Sequence, residues 1–150
     1  MSLPEGRWPN QIRAYEGAVD AISRGVKRLC ITSPTGSGKT LICTDLAQRS
    51  DEEGTPWVLY TYRKLLYEQT IGVFDAAGID YGKRASGHET ALLRNGQIAM
   101  TPTELSRVYK KQTRELHHAG MILIDELHQH QGPAFQRIVQ DHVDAGATAI

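Results

Sequence analysis

No apolar run in the chain exceeds a few residues, so nothing in it can span a bilayer, which takes about 20 consecutive apolar residues. The opening stretch MSLPEGRWPNQ lacks the apolar segment of a secretory signal. Export and a membrane partner are therefore not expected; a cytoplasmic or nucleoid-associated setting is. There is no excess of charge, since 17 Lys and Arg offset 17 Asp and Glu. That balance gives no sign of a general polyanion binder, but it leaves open one whose charge is unevenly placed. Cysteine is scarce. Cys30 and Cys43 fit no metal-ligand spacing, and the expectation is two reduced, buried thiols. No internal repeat or low-complexity tract is visible. What remains is ordinary globular composition, 40% hydrophobic and 23% charged over 150 residues, enough for one domain with one core.

Apolar periodicity along the chain switches repeatedly between helix and strand. Ile12, Tyr15, Val19 and Ile22 recur at spacings of three and four, which predicts a helix over 10–24. Arg28 to Thr32 reads as a short buried strand, and 39–49 as a helix. Trp57–Tyr60 is a strand, 63–76 a helix, and Gly78 stands where a left-handed helix cap is common. Gly82, Gly87 and Gly96 interrupt the pattern, so 81–96 reads as mostly loop with one short helix. Gln97–Met100 is a strand, followed by a helix from about 102. Met121–Ile124 is a continuous apolar strand; Phe135, Ile138, Val139 and Val143 mark a helix face, and Ala147–Ile150 begins another strand. Strands alternating with helices predict an α/β fold, a parallel sheet with helices on both faces. In such folds ligands bind beyond the carboxyl ends of the strands, and the motifs fall there.

Ser33 to Thr40 reads SPTGSGKT between a strand and a helix, close to the phosphate-loop pattern G-x-x-x-x-G-K-[ST]. Gly36 and Gly38 allow backbone N–H groups to turn inward around an anion, and the following helix offers its N-terminus. Lys39 reaches β and γ phosphates, and the Thr40 hydroxyl can ligate Mg²⁺. Ser33 occupies the first glycine position, a mild departure. Downstream, Met121–Ile124 ends in Asp125 and Glu126, the form of a Walker B strand. Asp125 would hold Mg²⁺ through water, and Glu126 would orient and deprotonate an attacking water. Two acids at the end of a buried strand are costly unless a metal or hydrogen bonds compensate them.

The tetrad Asp125-Glu126-Leu127-His128 resembles the DEAH or DExH box of superfamily 2 helicases, and Ser33–Thr40 resembles motif I of that family. The resemblance covers roughly residues 7–150. It implies a RecA-like phosphate-loop NTPase domain, the first of two, which binds ATP and Mg²⁺ through Thr35, Gly36, Ser37, Gly38, Lys39, Thr40 and Asp125. His128 would couple the nucleotide to the nucleic-acid site. Trp8-Pro9-Asn10-Gln11 looks like the Q-motif region, in which Gln11 would read the adenine edge. Trp8 would either stack on the base or act as a hydrophobic staple. Tyr60–Arg63 resembles motif Ia and Met100–Leu105 motif Ib, so Arg63, Thr101 and Pro102 would contact nucleic-acid backbone. Ser86-Gly87-His88 lies where the family often has a short Gly loop.

The same resemblance implies a chain that stops within a strand leading to motif III, with the second RecA-like domain, and its arginine finger, supplied in cis or in trans. The partner is nucleic acid, DNA somewhat favoured over RNA. The function implied is the ATP-binding half of an ATP-dependent helicase or translocase. Two alternatives stand beside it: a non-helicase phosphate-loop ATPase such as a DNA-packaging motor, and an ATP-binding module dependent on a partner domain. Residues 105–118 hold Arg107, Lys110, Lys111 and Arg114 against Glu115 alone. That basic stretch is either a nucleic-acid flank or a solvated helix face.

Overall fold

The computed structural model describes residues 5–32, 38–85, 90–125 and 132–150. Its frame is a five-stranded, all-parallel sheet. In chain order the elements are α1 (Pro9–Ser23), α2 (Lys39–Glu52), β1 (Trp57–Thr61), α3 (Lys64–Ala76), β2 (Gly82–Arg84), β3 (Gly96–Met100), α4 (Thr101–Glu104), β4 (Met121–Ile124), α5 (Pro133–Asp144) and β5 (Thr148–Ala149). The strand order is β2-β3-β1-β4-β5, which places β1 at the centre.

β1 is buried along its whole length because both faces of the sheet are covered. Its side chains alternate between two cores. Trp57 and Leu59 pack with Tyr15, Ile42, Leu46, Tyr67 and Phe74, so α1, α2 and α3 lie on one face. Val58 and Tyr60 pack with Phe135, Ile138 and Val139 of α5 on the other. Burying one such large apolar side chain stabilises the fold by about 1.5–3 kcal/mol. Among the described residues no helix is long and apolar enough to cross a membrane.

Most elements fall where the sequence pattern places them, Gly78 included, with φ +71° just after α3. The differences have physical reasons. In α1 the buried face is Gln11, Tyr15 and Ala18, while Ile12, Val19 and Ile22 are only half-buried. Residues 82–84 form the edge strand β2 rather than loop or helix. They are parallel to β3, with Lys83 opposite Ile98. Arg28 to Thr32 makes only a single parallel bridge, Arg28 to Ala149, instead of a full strand, because its neighbour β5 offers just two paired residues. The helix after Thr101-Pro102 widens at Leu105–Lys110 into a π-helical turn, closed by Lys111 N–H donating to the Ser106 carbonyl at 2.8 Å. The cysteine expectation also needs correction: Cys43 is half-buried and Cys30 is exposed, both as free thiols.

Candidate nucleotide and nucleic-acid site

The parallel register gathers the sequence motifs on one edge of the sheet. Tyr60 pairs with Ile124, and Thr61 with Met100. The chain therefore leaves three adjacent strands side by side: β1 toward Arg63, β3 toward Thr101, and β4 toward Asp125. The Asp125 N–H donates to the Tyr60 carbonyl at 3.2 Å, fixing the first residue beyond β4 against the central strand.

α2 begins at this end of the molecule. Its N-cap is Gly38, with φ +72° and ψ +42°, a left-handed conformation that glycine adopts without the penalty a Cβ would bring. Among the described residues no side chain caps the helix, and no acidic residue stands in its first turn. The Leu41 N–H donates to the Gly38 carbonyl at 3.0 Å, and the positive end of the helix dipole faces the loop side, where an anion is favoured. Lys39 is exposed and Thr40 half-buried in that first turn.

A cavity of about 660 Å³ runs beside it, lined among others by Lys39, Cys43, Cys30, Thr32 and Asp125. It brings the candidate phosphate-binding lysine and the candidate metal-binding carboxylate to one space, although they are far apart in sequence. The Cys43 thiol, one turn beyond Lys39, is pushed up to about 12 by burial, with the negative charge of Asp125 and then Asp45 adding to it. It remains protonated and is no nucleophile near neutral pH.

The residues present fit a nucleoside triphosphate with Mg²⁺. The glycine-started helix N-terminus and the Lys39 ammonium group suit phosphate oxygens, while the Thr40 hydroxyl and the Asp125 carboxylate are hard oxygen ligands of the kind Mg²⁺ takes. Among the described residues no cluster of three or more His, Cys, Asp or Glu is placed to hold a metal ion. Thr35, Gly36, Ser37, Ser86-Gly87-His88, Glu126 and His128 lie outside the described residues.

The remaining candidates are placed as follows. Arg63 is exposed as the N-cap of α3. Pro102 is exposed, but Thr101 is fully buried, so its side chain is turned into the protein. Trp8 is the N-cap residue of α1 and is 55% exposed, which does not suit a buried staple. Gln11 is buried, with its Nε2 donating to the Gly38 carbonyl at 3.4 Å. The sequence reading missed the two-pronged ion pair of Arg7 with Asp45, at 2.8 and 2.9 Å. The available signal was Asp45 itself, an acid set between Ile42 and Leu46 on the apolar face of α2.

A parallel sheet sandwiched by helices, with a glycine-started helix and an acidic strand end at its carboxyl edge, defines a RecA-like α/β domain. It is the N-terminal RecA-like domain of the superfamily 2 helicase kind. Residues 7–147 match the family described as type III restriction enzyme, res subunit, and the chain belongs to that family. Among solved structures it is similar to a nuclease-deletion mutant of the type ISP restriction-modification enzyme LlaGI, in complex with a DNA substrate mimic. The TM-score is 0.71 at 16% identity, over 95% of this chain and 14% of that one. At that identity the likeness is one of fold, and the chain spans only a small part of that enzyme. A comparison with curated protein sequences found no match.

Proposed function

We propose that the chain is the ATP-binding half of an ATP-dependent helicase or translocase that moves on nucleic acid, DNA ahead of RNA. One observation carries the reading. The carboxyl edge of the sheet places Lys39 and Asp125 around one cavity and sets Arg63 and the Thr101-Pro102 turn on the strand ends beside it. That arrangement supports a reading in which hydrolysis and nucleic-acid contact share one edge of the sheet.

In this reading the N-terminus of α2 and Lys39 bind and orient the β and γ phosphates. Thr40 and Asp125 hold Mg²⁺, which supplies neutralisation of the charge developing on the phosphoryl oxygens. Glu126 takes the proton of the attacking water, and His128 links this site to the nucleic-acid edge. Arg63, with the exposed Pro102 on the neighbouring strand end, meets backbone phosphates, which position a strand without reading its sequence. A second RecA-like domain, in cis or in trans, brings an arginine finger. Such a finger is worth about 10³–10⁵ in rate, so this chain by itself hydrolyses ATP slowly.

The test is ATP turnover by the chain together with a second RecA-like domain, with and without DNA and RNA. Stimulation by DNA exceeding that by RNA, lost in Arg63→Ala, is the expected result. Turnover insensitive to both nucleic acids contradicts the helicase reading.

A further inference from the structure

The central strand β1 opens into four consecutive exposed residues, Tyr62, Arg63, Lys64 and Leu65, directly after the fully buried Thr61. Tyr62 is 43% exposed and Leu65 65%. A lone exposed apolar side chain is ordinary, but these two bracket a pair of cations. They also stand at the carboxyl edge of the sheet, since Thr61 pairs with Met100 and the exposed Pro102 follows on that neighbouring strand.

The charge beside the ring is positive. α3 starts at Lys64 with Arg63 as its N-cap, and among the described residues no acid stands in its first turn and no side chain caps it. The positive end of the helix dipole adds to Arg63 and Lys64. Glu68, one turn on, is 3.9 Å from Lys64, but both are exposed, and such a pair is worth little in water. This surface suits a polyanion. Phosphates alone account for the cations and leave the ring in water. A closed duplex offers only phosphates and groove edges here, because its base faces are covered by neighbouring pairs. A single strand offers both phosphates for the cations and an open base face for the ring, the combination that single-strand binding surfaces use.

We infer that Tyr62 stacks on a nucleobase of a single strand whose phosphate is held at Arg63, so that the substrate class engaged at this edge is single-stranded nucleic acid. Every base has a π face, so the contact is indifferent to sequence. The inference deepens the nucleic-acid reading above and rests on it.

Fluorescence anisotropy of the purified chain with three labelled probes of one length tests it: oligothymidine, an abasic oligonucleotide that is sugar and phosphate alone, and a blunt duplex. Tyr62→Ala is expected to weaken oligothymidine binding by about five- to hundredfold, the range base–aromatic stacking gives, and to leave the abasic strand and the duplex unchanged. Tyr62→Phe, which keeps the ring, is expected to bind all three as the wild type does. Arg63→Ala is expected to weaken oligothymidine and the abasic strand by one common factor. A Tyr62→Ala loss that is equal on oligothymidine and the abasic strand, or equal on oligothymidine and the duplex, overturns the inference. No loss on any probe overturns it as well, and slower ATP turnover with a second RecA-like domain then assigns the ring to that domain's interface. Should Tyr62→Ala fail to fold, Tyr62→Leu keeps apolar bulk and removes the π face, and the same pattern is expected of it. A wild-type chain that binds none of the three probes refutes the nucleic-acid reading itself, a failure distinct from any pattern in the variants.

Discussion

His142 of α5 is 3% exposed, and its Nε2 lies 2.6 Å from the hydroxyl of Tyr60 on the central strand. Burial lowers its imidazole from 6.5 to about 4, helped by the charges of His117 and Arg84 and opposed by Asp141. Burial likewise pushes the Tyr60 hydroxyl well above its ordinary value, so the pair is neutral at pH 7. The sign of the pH effect follows. The unfolded chain takes up this proton near 6.5 and the folded one only near 4, so acid favours unfolding. Stability from this pair is full above 6.5 and is lost as pH falls through about 4. The loss is on the order of 3 kcal/mol. Urea midpoints at several pH values are expected to fall more steeply over this window in the wild type than in His142→Gln. Parallel curves for the two proteins would contradict the assignment. His142 was not legible as a core residue from the sequence, because its apolar neighbours Val139 and Val143 carry the pattern and a lone histidine adds nothing to it.

Between elements, one ion pair is buried on both sides. Arg84 at the end of β2 and Glu104 at the end of α4 are 5% and 0% exposed and meet at 2.7 Å. Arg84 also donates to the Glu115 carbonyl at 2.5 Å, and Arg114 lies 3.8 Å from the same Glu104 carboxylate. Two guanidiniums around one carboxylate tie the sheet edge to the turn that carries Thr101 and Pro102. Glu104→Gln leaves those cations uncompensated in the interior and is expected to cost about 3–5 kcal/mol, read as a lowered urea midpoint. Replacing Arg84 and Glu104 together by Met and Leu should recover part of that loss, because paired removal leaves fewer unmatched buried charges. A Glu104→Gln protein as stable as the wild type would show that the carboxylate is not in this environment. The same elements mark where the sequence was hardest to read. β2 is three residues, Gly82-Lys83-Arg84, with no apolar alternation, and its strand character comes from pairing with β3 and a single antiparallel bridge from Lys83 to Thr90. The π-helical turn after α4 has no sequence signature, whereas β1, β4, α3 and α5 announce themselves by apolar runs or helical spacing.

For the molecule as a whole, the architecture was legible because α3, α4 and α5 each lie between strands that run parallel, and that alternation brings the strand ends carrying Arg63, Thr101 and Asp125 to one edge. The expectation for Lys39, Thr40 and Asp125 rested on their place after a glycine-rich stretch and at a strand end, and the fold brings Lys39 and Asp125 to one cavity. The inward turn of Gln11 and its companion Arg7–Asp45 pair were not legible. They depend on how α1 crosses α2, a tertiary contact spanning 38 residues between Arg7 and Asp45 that no local pattern encodes. The zero net charge likewise hides the arrangement at the site, where Lys39 and Asp125 face one cavity. The most direct measurement of the central claim is calorimetric binding of Mg–ATP to the purified chain and to Lys39→Ala. Binding by the wild type that Lys39→Ala abolishes, with fold retained by circular dichroism, is the result this structure predicts; equal affinity in the two proteins would contradict it.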